Sequence, residues 1–186
     1  MNYCSHCGSA QLNFSIPEGD NRARYVCQQC HTIHYQNPKL VVGCLPVFED
    51  KILICKRAIE PRYGLWNLPA GYLENNETVE QGAIRETREE AHANVEIIRL
   101  HSIYNLPHIN QVYLHFLARL KNHEFSCGSE SLEVRLFTPE QIPWSQMAFS
   151  SSTFALKKYL ENTTNHPGVH IGTFYPEDFH RKSPKR

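Results

Sequence analysis

The stretch Gly71-Tyr72-Leu73-Glu74-Asn75-Asn76-Glu77, followed seven residues later by Arg85-Glu86-Thr87-Arg88-Glu89-Glu90-Ala91, decides how this chain is read. Thr78 to Ala91 holds good helix formers and no proline, so a helix is expected there. At roughly 100° per residue, Glu86 and Glu90 lie about 40° apart and Glu89 within about 100° of Glu90. Three carboxylates on one arc repel each other unless a cation lies among them. The same arc carries Val79 and Ala83, so it is expected to face a sheet. Arg85 and Arg88 fall elsewhere on the wheel, so pairing at i,i+4 across a solvated face explains the pattern poorly.

Working outward, Leu40–Phe48 and Lys51–Arg57 read as two strands joined by a tight Glu49-Asp50 turn. Further strands are expected at Val95–Leu106, Gln111–Leu120 and Leu132–Phe137, and a second helix over Ser152–Glu161. Strands around one strong central helix indicate an α+β fold with helices layered on a mixed sheet. Asn37-Pro38 marks a boundary, because a residue before proline is pushed toward extended geometry. The expected division is 1–37, 38–165 and a C-terminal extension over 166–186 that ends in a frayed basic tail from His180.

Composition narrows the function classes. The 186 residues are 41% hydrophobic and 20% charged, a globular balance. Nineteen basic residues offset nineteen acidic ones, so attraction for a phosphate-bearing substrate must be local, and nucleic acid is not expected as the main partner. No apolar run approaches the roughly 18 residues of a membrane span, and the N-terminus lacks the pattern of a secretory signal. Seven cysteines are an odd number for a disulfide framework, so a reducing cytoplasm is the expected compartment.

Four of the cysteines form two C-x2-C pairs, Cys4/Cys7 and Cys27/Cys30, with 19 residues between the pairs. Each turn offers two thiolates, and four close a tetrahedral zinc shell. Such a shell leaves no position for a substrate water, so this Zn2+ is expected to be structural. A segment this short cannot build a sufficient core, and the metal supplies its folding free energy. His6, His31 and His34 are nearby competitors for the metal, and Gly8 is suited to the positive φ of such a turn.

Gly71, Glu77, Arg85, Glu86, Glu89 and Glu90 together resemble the Nudix box, G-x5-E-x7-R-E-U-x-E-E-x-G-U. Two positions depart from it: Thr87 stands where a bulky aliphatic is usual, and His92 where the late glycine belongs. Altered loop geometry after the helix is therefore expected, without loss of chemistry. The resemblance implies an α/β/α sandwich and a pyrophosphohydrolase in which Glu86, Glu89 and Glu90 hold Mg2+ or Mn2+. It gives Arg85 and Glu77 an orienting role and makes the carbonyl of Ala70 or Gly71 a further metal contact. Glu130 and Glu133 are candidates for the general base, with Glu133 preferred.

The zinc ribbon followed by Asn37-Pro38-Lys39, Val42-Gly43-Cys44, Gly64-Leu65-Trp66, Leu68-Pro69-Ala70-Gly71-Tyr72 and Glu130-Ser131-Leu132-Glu133 is similar to the FAD/ADP-ribose pyrophosphatase subgroup. That similarity implies AMP release from FAD or ADP-ribose and a possible homodimer. Tyr63, Trp66 and Tyr113 are candidates to stack an adenine or flavin, with core packing the competing reading. Arg57, with Lys56 and Arg62, is a candidate for phosphate contact, against a solvated surface role. Pro107, 14 residues beyond Ala93, lies close to a proline position of ADP-ribose hydrolases. Two rivals remain. One is an NADH pyrophosphatase or NAD-cap hydrolase, whose downstream array is echoed in composition but not order by Pro143-Trp144-Ser145-Gln146-Met147-Ala148-Phe149-Ser150. The other is a non-catalytic, nucleic-acid-binding sensor, a type that tends to lose the carboxylates retained here.

Overall fold

In the computed structural model, which describes residues 1–161 and 168–176, the chain divides into two units, Met1–Asn37 and Pro38–Arg186. The basic tail expected from His180 lies outside the described residues. The first unit is a small antiparallel sheet of β1 (Leu12–Ser15), β2 (Arg24–Cys27) and β3 (Ile33–His34).

The second unit is organised by β4 (Lys39–Phe48), whose residues Val41 to Pro46 are buried. A strand covered on both faces reads as a near-continuous apolar run, as this one does. β4 runs parallel to β9 (Gln111–Leu120) and antiparallel to β5 (Lys51–Arg57) and to the short β7 (Ala70–Tyr72). Pro46 falls in the gap between the β7 and β5 pairings, where its missing N–H breaks no ladder on that side. β8 (Val95–Leu106) pairs with β9, β10 (Ser131–Phe137) with β5, and β6 (Trp66–Asn67) with β5. The sheet is mixed, as expected from the sequence. His170–Thr173, set apart there as part of an extension, instead forms β11, a parallel edge strand on β8.

Alternation along the strands makes two cores. Val42, Cys44, Leu53, Cys55, Phe116 and Ala118 pack with Ala83 and Ala91 of α1 (Val79–Ala91). On the other face Leu45, Ile52, Ile54, Trp66, Leu68 and Phe137 pack with Ala155 and Leu156 of α2 (Ser150–Glu161). Each helix thus covers one face of the sheet, giving the α/β/α sandwich. Cys44 and Cys55 are core residues, and burial pushes the Cys44 thiol up to about 12.

The α2 side has a polar seam. Ser152 Oγ donates to Asn67 Oδ1 at 2.6 Å, and His101 Nε2 lies 2.9 Å from the Ala155 carbonyl oxygen. His115 is buried on the same face, and burial lowers His101 to about 4 and His115 to about 3. Both rings stay neutral in the folded chain, while in the unfolded chain each takes a proton near its ordinary 6.5. Their contribution to stability is therefore complete above that value and is lost as the pH drops from about 6.5 toward 4. The urea midpoint is expected to decrease steadily across that window. His101→Gln, which keeps an N–H for the Ala155 carbonyl, should make the decrease shallower; an unchanged slope would refute the assignment.

Candidate active site

Helix α1 is fixed at both ends. Thr78 is the N-cap: Gln81 N–H donates to its Oγ1 at 3.2 Å, and Thr78 N–H donates to Gln81 Oε1 at 2.8 Å. This reciprocal capping box satisfies two otherwise orphan donors. At the other end the His92, Ser126 and Gly128 N–H groups donate to the carbonyls of Arg88, Ala91 and Glu90, at 2.9, 2.9 and 3.0 Å.

Between these ends Arg85 organises the carboxylates. Its Nε and Nη2 bind the two oxygens of Glu77 at 3.0 and 2.8 Å, a bidentate pair. Nη1 donates to Glu86 Oε1 at 2.6 Å and to Glu89 Oε2 at 3.0 Å, and Nη2 to the Tyr72 carbonyl at 3.0 Å. A helical wheel points Arg85 away from the carboxylates and disfavours i,i+4 pairing. The structure corrects this, because a long side chain leaning along the helix reaches Glu89 one turn on. Glu77 also accepts from the Glu74 N–H at 2.8 Å, and Arg85 holds its carboxyl down to about 2.

Glu86 and Glu90 are little exposed, whereas the Glu89 side chain is 59% exposed. Burial raises Glu86, with Arg85 opposing. Burial, with the Glu86 charge behind it, pushes Glu90 up to about 8. The Ala70 N–H and the Arg57 charge pull Glu90 the other way. Burial, joined at Glu90 by the Glu86 charge, thus disfavours the ionised form of both groups. Gly71 makes room for them: a Cβ there would overlap the Glu86 carboxylate. Hard carboxylate oxygens on one helix end fit Mg2+ or Mn2+ in the chemistry of their donors.

The remaining candidates separate by face. Glu130 adds its charge to the shifts of both Glu86 and Glu90, and its carbonyl accepts from the Ala58 N–H at 2.8 Å. Glu133 does not join them. Ser131 pairs with Arg57, but a bulge makes Glu133 pair with Lys56, which moves it to the face opposite α1. Without that extra residue the period of two would have kept Glu133 beside the helix, so the sequence offered no sign of the switch. Arg57 is buried: its Nε donates to the Pro61 carbonyl at 3.0 Å, and its guanidinium lies 5.1 Å from the Phe149 ring. Trp66 sits in the α2-side core with its ring 4.9 Å from Phe137, so it packs instead of offering a face to a ligand. Tyr63 is exposed, Tyr113 is half-buried with its hydroxyl donating to Gln111 Oε1 at 3.2 Å, and Pro107 opens a single helical turn after β8.

Thr87 and His92, the two departures from the box, both have local explanations. Thr87 is fully buried and its hydroxyl donates to the Ala83 carbonyl at 2.8 Å. His92 adopts φ 47° and ψ 27°, the left-handed conformation that glycine takes without steric cost. For a residue with a Cβ this costs roughly 1–2 kcal/mol. The backbone after the helix therefore keeps a glycine-like turn, contrary to the expectation of altered geometry.

In the N-terminal unit Cys4, Cys7, Cys27 and Cys30 bring their sulfurs within 4.8 Å of one another. Cys4–Cys30 and Cys7–Cys27 are 3.7 and 3.6 Å apart. Four thiolates about 2.3 Å from one ion in a tetrahedron stand roughly 3.8 Å apart, so the cluster fits zinc. The knuckles match: Gly8 and His31 N–H groups both donate at 2.9 Å to the carbonyl four residues back, and both residues have positive φ. His34 is not a fifth ligand; its Nε2 lies 3.3 Å from Cys4 Sγ.

Fold and helix end together define an α/β/α domain with glutamates gathered at one helix end, preceded in the chain by a four-cysteine ribbon. The NUDIX domain model matches residues 37–156, and the Nudix N-terminal zinc-ribbon model matches residues 2–36. The chain belongs to the Nudix hydrolase family. A crystal structure of a NUDIX hydrolase from Nitrosomonas europaea is 54% identical with a TM-score of 0.89, covering 94% of this chain and 99% of that one. An ADP-ribose pyrophosphatase from Streptococcus suis is 27% identical with a TM-score of 0.60, over 73% of this chain and 99% of that one. A NAD-capped RNA hydrolase, NudC, from Photobacterium profundum is 31% identical over 71% of this chain, which spans only 47% of that protein. An ADP-ribose pyrophosphatase from Methanocaldococcus jannaschii is 27% identical over 68% of this chain and 75% of its own length.

Gly71→Ala is expected to weaken Mn2+ binding by about 10- to 100-fold with the fold retained, because it displaces the Glu86 carboxylate. Titration followed by electron paramagnetic resonance checks this, and wild-type affinity would count against the placement. For the ribbon, elemental analysis should find about one zinc per chain, lost in Cys27→Ser. Freshly purified wild-type protein without zinc would contradict that.

Proposed function

We propose that this chain is a divalent-metal-dependent pyrophosphohydrolase that releases AMP from ADP-type diphosphates, ADP-ribose or FAD. The gathering of Glu86 and Glu89 on the Arg85 anchor, with buried Glu90 feeling the charges of Glu86 and Glu130, carries the reading. Glu86, Glu89 and Glu90 hold the Mg2+ or Mn2+. When bound, such ions neutralise the diphosphate and ease deprotonation of water.

The protein's own groups do the rest. Glu130 takes the proton from the attacking water. The water oxygen bonds to one phosphorus, the bridging P–O bond breaks, and the bridging oxygen leaves with the other phosphate. Two phosphomonoesters result. Arg57, held by Pro61 and Phe149, and Arg62 meet the phosphate charge, and exposed Tyr63 stacks against the base.

Support for ADP-ribose comes from the two relatives named for that activity, both matched over most of their length. NADH or NAD-capped RNA is the second reading, supported by the Photobacterium profundum relative. Retention of every box carboxylate argues against a non-catalytic sensor.

With Mg2+ or Mn2+, a panel of FAD, ADP-ribose, NADH and NAD-capped RNA is expected to yield AMP from the first two, with EDTA abolishing release. Glu90→Gln should lower kcat by about 10²- to 10³-fold, the scale of several kcal/mol of metal-borne stabilisation. Turnover of NADH or capped RNA alone would favour the second reading, and no turnover of any diphosphate would sink the enzyme.

A further inference from the structure

The segment that carries Glu130 is attached to the end of α1 by a chain of contacts that begins at His92. His92 Nδ1 lies 2.9 Å from Ser126 Oγ. Ser126 N–H then donates to the Ala91 carbonyl, and Gly128 N–H to the Glu90 carbonyl. The approach at Gly128 is so close that a Cβ there would overlap the Glu89 carbonyl oxygen. Ser131 N–H donates back to the Gly128 carbonyl at 3.2 Å, and the Glu130 carbonyl ties the segment to Ala58 at 2.8 Å. The backbone that presents Glu130 is thus laid directly on the backbone that presents Glu89 and Glu90.

Of these links, only the one at His92 is made by side chains. The residue holds the left-handed turn, where a glycine would sit without strain, and it has a ring that reaches the segment. A glycine would make the same turn and lose the reach.

We propose that His92 is a positioning residue: through Ser126 it clamps the 126–131 segment on the helix end and so fixes Glu130 relative to Glu86 and Glu90. His92 touches no reacting atom. The proposal rests on the reading of Glu130 as the general base. A carboxylate that wanders by about 1 Å loses proton-transfer efficiency far more than substrate affinity.

The test uses the full chain, with the diphosphate turned over fastest in the panel above. His92→Gly is expected to lower kcat by about ten-fold or more with KM unchanged. Tm should not fall, because glycine relieves the turn. Amide hydrogen exchange in 124–131 should speed up. Ser126→Ala should act alike, and the double variant should add nothing to either single one. His92→Asn, which tolerates the turn and keeps a hydrogen-bonding group, should restore part of kcat.

Wild-type kcat and exchange in His92→Gly would overturn the clamp, and so would a kcat loss accompanied by a fall in Tm, the mark of a merely structural role. Glu130→Gln in the same assay separates the two readings. A fully active Glu130→Gln removes the base assignment whatever His92 does. An inactive Glu130→Gln beside a fully active His92→Gly removes only the positioning role.

Discussion

The Arg85 guanidinium is the interaction on which the second unit's chemistry depends. It has five N–H donors in a fixed fork, and its five hydrogen bonds go to Glu77, Glu86, Glu89 and the Tyr72 carbonyl. Glu77 passes the restraint on to the Glu74 N–H. One side chain therefore joins the β7 end, the loop before α1 and the helix itself. Lysine, a single ammonium, could not make that set of bonds.

This arrangement gives glutamates at fixed spacings different tasks. Glu77 is a full-time partner of arginine, and its carboxyl is held far below the ordinary range. Glu90 has the Ala70 N–H and a more distant Arg57 charge against its burial, and it rises instead. Two glutamates on the same short segment are driven apart by environment alone, one held ionised by arginine and the other pushed toward its neutral form by burial. Gly71 belongs to the same design, because its missing side chain is the space in which the Glu86 carboxylate lies.

Much of this was legible in the sequence, and the failures have physical causes. Helical periodicity located α1 and its sheet-facing arc, because that period follows from backbone geometry, and β-rich runs bounded by turns located the long strands. The four cysteines were readable because zinc imposes its own spacing. Side-chain reach was not readable: a helical wheel gives the direction in which Arg85 leaves the axis, not where its fork ends. Nor was the bulge before Glu133, since one extra residue in a strand reverses faces without changing composition. Trp66 looked like a stacking residue by type alone, and only its packing on Phe137 assigns it to the core. His170–Thr173 was missed as a strand because an edge strand needs only one partner and carries little patterning.

The helix terminus supplies the last constraint. Glu89 and Glu90 stand in the final turn of α1, the end where unpaired carbonyls already concentrate negative charge. A helix optimised for stability alone would carry cations there. Here Arg88 is the basic residue of that turn, with Glu90 buried and Glu89 exposed. The 126–128 segment caps the carbonyls of Glu90 and Ala91 with backbone N–H groups, which bring partial charge but no full one. Arg85 donates to Glu86 and Glu89, while the cation acting on Glu90 is the more distant Arg57, and Gly71 leaves space beside Glu86. An element that is destabilised by its own charge and stabilised by whatever neutralises it binds a divalent cation with that difference as part of its driving force. The charge that opposes the dipole at the end of α1 is the charge that the proposed divalent cation would neutralise.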